Sequence, residues 1–202
     1  MRYFAVTLCA LVVFAASACG KTVAIPKLSA DAVVLAFGDS LTHGTGANEA
    51  ESYPAQLAVM VGRKVVRAGV PGEVSESGLV RLPAALDEHA PHVLILCHGG
   101  NDFLRKLPRD KAAENVRAMI RLAQSRGIAV ILIGTPEPGL TVSTPAFYSD
   151  IAKEFRIPYE GEVMGSVLRN ASLKSDTVHP NAAGYRVIAE KLAVLLRKAG
   201  AV

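Results

Sequence analysis

The 202-residue chain has no tryptophan, 5% aromatic residues, three cysteines and no His-Glu-x-x-His run. Cys9, Cys19 and Cys97 are too scattered to form a zinc site, so metal-assisted hydrolysis has no ligand set. Twenty-two Lys and Arg against 18 Asp and Glu leave a net charge of +4, spread without a basic run or aromatic interleaving, so nucleic acid is not implied as a partner. Nucleotide-binding loops are incomplete. Gly20-Lys21-Thr22 echoes the end of a phosphate loop, but Ala15 stands where its first glycine belongs. Gly44-Thr45-Gly46 opens like a dinucleotide fingerprint, but Glu49 occupies the third glycine position, where a carboxylate would oppose a pyrophosphate. The nucleophile elbow G-x-S-x-G is also missing, because Thr42 stands at its second glycine. No internal repeat, low-complexity block or second-domain signal interrupts the chain.

What is present is an alternation of two periodicities. Short apolar, β-branched runs at 33–37, 64–67, 93–97, 128–133 and 156–158 read as strands, and the stretches 54–61, 77–89, 111–126 and 144–155 between them read as helices. Such βαβ alternation implies an α/β fold with a parallel sheet covered on both faces, whose ligands bind beyond the carboxyl ends of the strands. A final helix over 181–198 repeats Tyr185, Ile188, Leu192, Leu195 and Leu196 at spacings of three and four, one apolar face to pack on the sheet.

Three strand ends carry chemistry-bearing residues. Gly38-Asp39-Ser40-Leu41 follows the first strand, which puts Ser40 at the mouth of the sheet. A serine hydroxyl needs a base to take its proton, and the base needs an acid to fix its tautomer. Ser175-Asp176-Thr177-Val178-His179-Pro180 supplies both as Asp176 and His179, with Pro180 suited to the first position of the final helix. Gly72 follows the second strand, where a glycine lets a substrate approach its N–H, and Gly99-Gly100-Asn101-Asp102 follows the third, offering the Asn101 amide. Ser40 N–H, Gly72 N–H and the Asn101 side chain are thus three donors for an oxyanion, each worth about 2.7–4 kcal/mol of transition-state stabilisation. Taken singly, Gly72 reads as a turn glycine and Asn101 as a cap; in combination the functional reading is favoured. His43, His89 and His92 read as surface or packing residues, and His98, bordering the Asn101 block, as local structural support.

These four blocks, Gly38-Asp39-Ser40-Leu41, Gly72, Gly99-Gly100-Asn101-Asp102 and Asp176-Thr177-Val178-His179, resemble those of the SGNH, or GDSL, hydrolases, in the same order. The run from Gly72 to Leu79 and Arg81-Leu82-Pro83 is similar to the branch of periplasmic thioesterases, arylesterases and lysophospholipases. The resemblance implies a three-layer α/β/α fold with a flavodoxin-like five-stranded parallel sheet. It also implies ester or thioester hydrolysis without a cofactor, with Ser40 as nucleophile, His179 as base, Asp176 as its partner, and Gly72 and Asn101 as oxyanion donors. The expected substrates are carboxylic esters, thioesters or lysophospholipids with short to medium acyl chains. A carbohydrate O-acetylesterase using the same triad and a non-catalytic envelope lipoprotein are the alternatives. Leu140, Val142 and Phe147, in the loop after the fourth strand, are expected to line an acyl cleft or to pack that loop.

The amino terminus sets the expected location. Met1-Arg2, an apolar stretch from Phe4 to Phe14 and Ala16-Ser17-Ala18-Cys19 read as an export signal, too short for the roughly 20 residues of a spanning helix. Residues 1–18 would be released. Cys19 stands as in the lipobox that bacterial lipoproteins resemble, which implies a lipid anchor on Cys19 in the cell envelope, facing the periplasm. A soluble periplasmic or secreted product is the alternative. Residues 19–31 read as the lipidated cysteine and a tether, and 32–202 as one hydrolase domain. Cys97 would remain alone in a buried strand, with no disulfide partner. Arg105-Lys106-Leu107-Pro108-Arg109 is the densest basic spot; it reads first as a solvated loop, and second, beside the Asn101 block, as a contact for an anionic headgroup.

Overall fold

The computed structural model describes residues 23–139 and 141–202. The expected export signal, Cys19 and Leu140 lie outside the described residues. Among these, the strands β1 (Val33–Gly38), β2 (Lys64–Gly69), β3 (Val93–Cys97), β4 (Ala129–Ile133) and β5 (Tyr159–Glu160) form one sheet in the order β2-β1-β3-β4-β5, every pairing parallel. This is the flavodoxin-like order, and the strand sequence reverses between β1 and β3, where open α/β sheets bind ligands. The helices are α1 (Ser40–His43), α2 (Tyr53–Val61), α3 (Ser75–His89), α4 (Gly100–Leu104), α5 (Arg109–Ser125), α6 (Phe147–Phe155), α7 (Val163–Arg169) and α8 (Ala182–Lys198).

The two-residue period of the strands divides the core. Val34, Ala36, Val93, Ile95, Ile131 and Ile133 point to one face, where they pack with α2, α7 and α8. Leu35, Phe37, Leu94, Leu96, Val130 and Leu132 point to the other, against α3, α5 and α6. Tyr185, Ile188, Leu192 and Leu196 of α8 are fully buried, and burying one aliphatic side chain such as Ile188 or Leu192 stabilises the fold by about 1.5–3 kcal/mol. No helix among the described residues is long and apolar enough to cross a membrane.

Three elements differ from the sequence expectation. The fifth strand is displaced from 156–158 to Tyr159–Glu160: Arg156 closes α6 in the left-handed region, φ 50°, and Pro158 has no N–H, so only its carbonyl joins the sheet, accepting from Leu132 N–H at 3.0 Å. Pro180 is not the first residue of the last helix. Asn181 caps it, its Oδ1 accepting from Gly184 N–H at 3.0 Å, and Pro180 pairs across to Lys174. The stretch expected as a tether docks from Ile25 onward: Ile25 and Leu28 are buried, and their N–H groups donate to Ala199 and Ala201 carbonyls at 2.8 and 2.9 Å.

Candidate active site

Ser40 opens α1 directly beyond β1, and its turn is set by the buried Asp39, whose Oδ1 accepts from Leu41 N–H at 3.0 Å. His179 arrives from the far end of the chain, 139 residues on. Its loop is closed by Ser175 N–H donating to the His179 carbonyl at 3.0 Å and by the Lys174–Pro180 bridge, with the capped α8 behind it. His179 Nε2 lies 3.0 Å from Ser40 Oγ, and His179 Nδ1 lies 2.8 Å from Asp176 Oδ2. With a carboxylate at Nδ1, the proton sits there, leaving Nε2 to accept from the Ser40 hydroxyl.

Asp176 is half exposed yet held. Its Oδ1 accepts from the main-chain N–H groups of Val178 and His179, both at 2.8 Å, an Asx-type turn that points the carboxylate back at the imidazole. Partial burial works to raise the Asp176 carboxyl, but the hydrogen bond with His179 and the two N–H donors outweigh it and hold it below the usual carboxylate range. It therefore stays ionised at neutral pH, as the partner of an imidazolium must.

Gly72 and Asn101 meet Ser40 around one cavity of about 640 Å³. Gly72 adopts φ +78°, in the left-handed region, where a side chain would be strained. The N–H groups of Ser40 and Gly72 take no acceptor among the described residues. Asn101 Nδ2 donates to the Glu73 carbonyl at 3.0 Å and to Asp39 Oδ2 at 3.2 Å. Both of its hydrogens are thus engaged in the resting site, and the longer bond, to Asp39, is the one more readily shared with an incoming oxygen. Burial pushes the Asp39 carboxyl above the usual carboxylate range, which weakens it as a competing acceptor.

Behind this corner stands a set of residues in which Glu73 and Arg81, given no role of their own by the sequence, join His98 and Arg105. Arg81, on α3, donates from Nε to Glu73 Oε1 at 2.8 Å and from Nη2 to Glu73 Oε2 at 2.6 Å, and Nη2 also reaches the Gly38 and Ala68 carbonyls at 3.3 and 3.2 Å. Its guanidinium lies 4.0 Å from the Phe37 ring centre. His98 Nε2 sits 3.1 Å from Glu73 Oε2. His98 is wholly buried and outside the cavity lining, which fits structural support. Gly78 leaves the space for it, because a Cβ there would overlap the His98 ring. Burial opposes the charge on Glu73, but Arg81 and His98 outweigh it and hold the carboxyl down to about 2. Arg105 adds a bond from Nη2 to the Gly72 carbonyl at 2.7 Å. The loop that presents Gly72 is therefore pinned to three strand ends and two helices.

The cavity walls are mainly apolar, with Leu41, Pro71, Leu104, Pro136, Val142 and Leu168 among them. Val142 is there as expected, in the left-handed region at φ 41° and tied by its carbonyl to Arg169 Nη1 at 2.8 Å. Phe147 is not: its ring stacks on Tyr148 at 4.2 Å between centres and meets Phe103 edge-on, so it packs the loop instead of lining the cleft. Cys97 is buried in β3, where its thiol is pushed far up and has no activating base.

Such a site can move a proton from Ser40 to His179 and meet a developing oxyanion with fixed donors beside an apolar cleft. Comparisons with known proteins point the same way. Residues 36–187 match the model of the GDSL-like Lipase/Acylhydrolase family. The chain is 29% identical over 179 residues to Thioesterase 1/protease 1/lysophospholipase L1 of Escherichia coli (strain K12), covering 85% of this chain and 86% of that one. It is 27% identical over 177 residues to Esterase TesA of Pseudomonas aeruginosa, covering 81% and 87% respectively. The crystal structure of TesA superposes with a TM-score of 0.75 at 24% identity over 83% of this chain and 99% of that one, a likeness of fold. With most of its length matched, the chain belongs to the GDSL-like lipase/acylhydrolase family and is a hydrolase of ester bonds.

Proposed function

We propose that the protein is a serine esterase that cleaves carboxylic esters, thioesters or lysophospholipids of short to medium acyl chain through an acyl-enzyme on Ser40. The observation that carries this reading is the unbroken hydrogen-bond chain from Ser40 through His179 to Asp176, opening on an apolar-walled cavity of about 640 Å³. In the first half-reaction Ser40 Oγ attacks the carbonyl carbon while His179 Nε2 takes its proton. The carbonyl oxygen becomes an oxyanion facing Ser40 N–H, Gly72 N–H and the Asn101 amide, with the Asn101 hydrogen bonded to Asp39 shifting to it. Collapse breaks the bond to the leaving alcohol or thiol, which receives the proton from His179. Water, deprotonated by the same imidazole, then cleaves the acyl-enzyme and regenerates Ser40.

A cavity of this size and lining takes an acyl chain by burying it against Leu41, Leu104, Val142 and Leu168. An O-acetylated saccharide would instead call for a polar cleft around Ser40. The deciding experiment is a kcat/KM profile of purified protein on aryl esters and thioesters of increasing chain length, with acetylated saccharides alongside. The reading expects a rise beyond acetyl, and activity confined to acetyl-saccharides would overturn it. We also propose that the chain is exported and anchored through Cys19. Envelope fractionation of wild type and Cys19→Ala tests this: the variant should leave the membrane fraction, and an unchanged distribution would overturn it.

A further inference from the structure

Three of the large hydrophobic residues that the fold leaves in water lie in the cavity lining or within three residues of it along the chain. Val70 is 39% exposed, Leu104 48% and Leu107 41%. Val70 leads into Pro71 and Gly72, which line the cavity, and Leu104 lines it from the end of α4, just before the α4–α5 connection. The two loops are joined by the bond from Arg105 Nη2 to the Gly72 carbonyl at 2.7 Å. The connection from α4 to α5 is firmly shaped: Lys106 N–H donates to the Phe103 carbonyl at 3.0 Å, Leu107 N–H donates to the Asp102 carbonyl at 2.8 Å, and Lys106 takes the left-handed conformation at φ 55°. This backbone presents Leu104-Arg105-Lys106-Leu107 as an ordered knob beside the cavity mouth.

Charge distinguishes this knob from an ordinary exposed patch. Nearby Arg109 and Lys111 are matched by Glu137 and Glu114. Arg105 and Lys106 are in no ion pair among the described residues, and Arg105 bonds only a neutral carbonyl. Two uncompensated cations flanked by leucines, at the opening of an apolar cleft, have the composition that binds an anionic lipid surface: apolar side chains enter the acyl boundary while Lys and Arg meet headgroup phosphates.

We propose that the knob formed by Leu104, Arg105, Lys106 and Leu107, together with Val70, docks the cavity mouth on an anionic lipid surface. Docked there, an acyl chain passes from lipid into the cleft without crossing water. The docking rests on the proposed lipid-ester reading for its purpose, but not for its test.

The absence of tryptophan makes that test direct. Leu107→Trp in the full chain places a single fluorophore in the knob. Val194→Trp places one on α8 at a residue of similar exposure, 42%, roughly 18 Å along that helix from its start beside His179. On vesicles of phosphatidylcholine containing phosphatidylglycerol, the emission of Trp at 107 should shift to the blue and be quenched by brominated acyl chains, while Trp at 194 stays unchanged. Pure phosphatidylcholine should give a weaker effect, and Lys106→Glu in the Leu107→Trp background should weaken binding roughly 20- to 30-fold. No shift at 107, equal shifts at 107 and 194, or indifference to phosphatidylglycerol would each overturn the docking. Hydrolysis of a soluble short-chain aryl ester, measured on the same proteins, reports the chemistry separately. Its loss in wild type would count against the esterase reading and leave the fluorescence result standing.

Discussion

Replacing Glu73 by Gln removes one negative charge and leaves the shape nearly unchanged, so it isolates the electrostatic support of the Gly72 loop. The Glu73 side chain is 7% exposed and accepts from Arg81 Nε, Arg81 Nη2 and His98 Nε2. Its carboxyl is held down from 4.5 to about 2, a displacement equivalent to about 3 kcal/mol of preference for the charged form. Solvent reaching the Arg81 partner, whose side chain is 28% exposed, reduces this to about 2–3 kcal/mol. The native carboxyl ionises below its unfolded counterpart, so this stabilisation is fully present above about pH 4.5 and is lost as pH falls toward 2. Glu73→Gln should therefore cost about 2–3 kcal/mol in urea unfolding at neutral pH, and wild type and variant should converge as the buffer is taken below pH 4.5. The same loop carries Gly72 and the carbonyl that holds Asn101, so kcat should fall with KM little changed, by less than the roughly 10²–10³-fold that follows deletion of a whole oxyanion donor. A stability difference that stays constant across pH, or a kcat equal to wild type, would refute the reasoning.

Other perturbations read other parts of the site. Ser40→Ala and His179→Ala should each lower kcat by about 10⁴-fold or more with the thermal transition preserved, and the double variant should be no worse than either, as steady-state kinetics will show. Asp176→Asn keeps an oxygen for the Val178 and His179 N–H groups but loses the negative partner of the imidazole; kcat should drop about 10²–10⁴-fold with little change in Tm. Gly78→Ala drives a methyl into the His98 ring and should destabilise the fold by about 1–3 kcal/mol in denaturant unfolding.

Much of the frame is legible in the sequence, because it rests on local pattern. The strand 93–97 is a run of five apolar residues and appears with those bounds; the apolar spacing of 181–198 predicts α8 to within a residue. Ser40, Gly72 and Asn101 were legible for the same reason, each following a recognisable strand. What escaped depends on tertiary partners or on very short segments. The role of Arg81 is defined by what it reaches across the strand ends, which no spacing reveals. Helix α7 spans only seven residues, too few for a period to show, although it buries Val163, Met164, Val167 and Leu168. Pro180 looked like a helix start, but the Asn181 side chain offered a better cap one residue later. Phe147 reads from sequence equally as cleft lining or as packing, and its aromatic partners, Tyr148 beside it in α6 and Phe103 in α4, decide for packing.

The central claim is that Ser40, activated by His179, carries the acyl group. The most direct measurement is peptide mass spectrometry after treatment with a fluorophosphonate, which forms a stable bond only with an activated serine hydroxyl. The account predicts one stoichiometric adduct on Ser40 in wild type and none in His179→Ala. An adduct on another residue, or no adduct in protein that still hydrolyses esters, would contradict it.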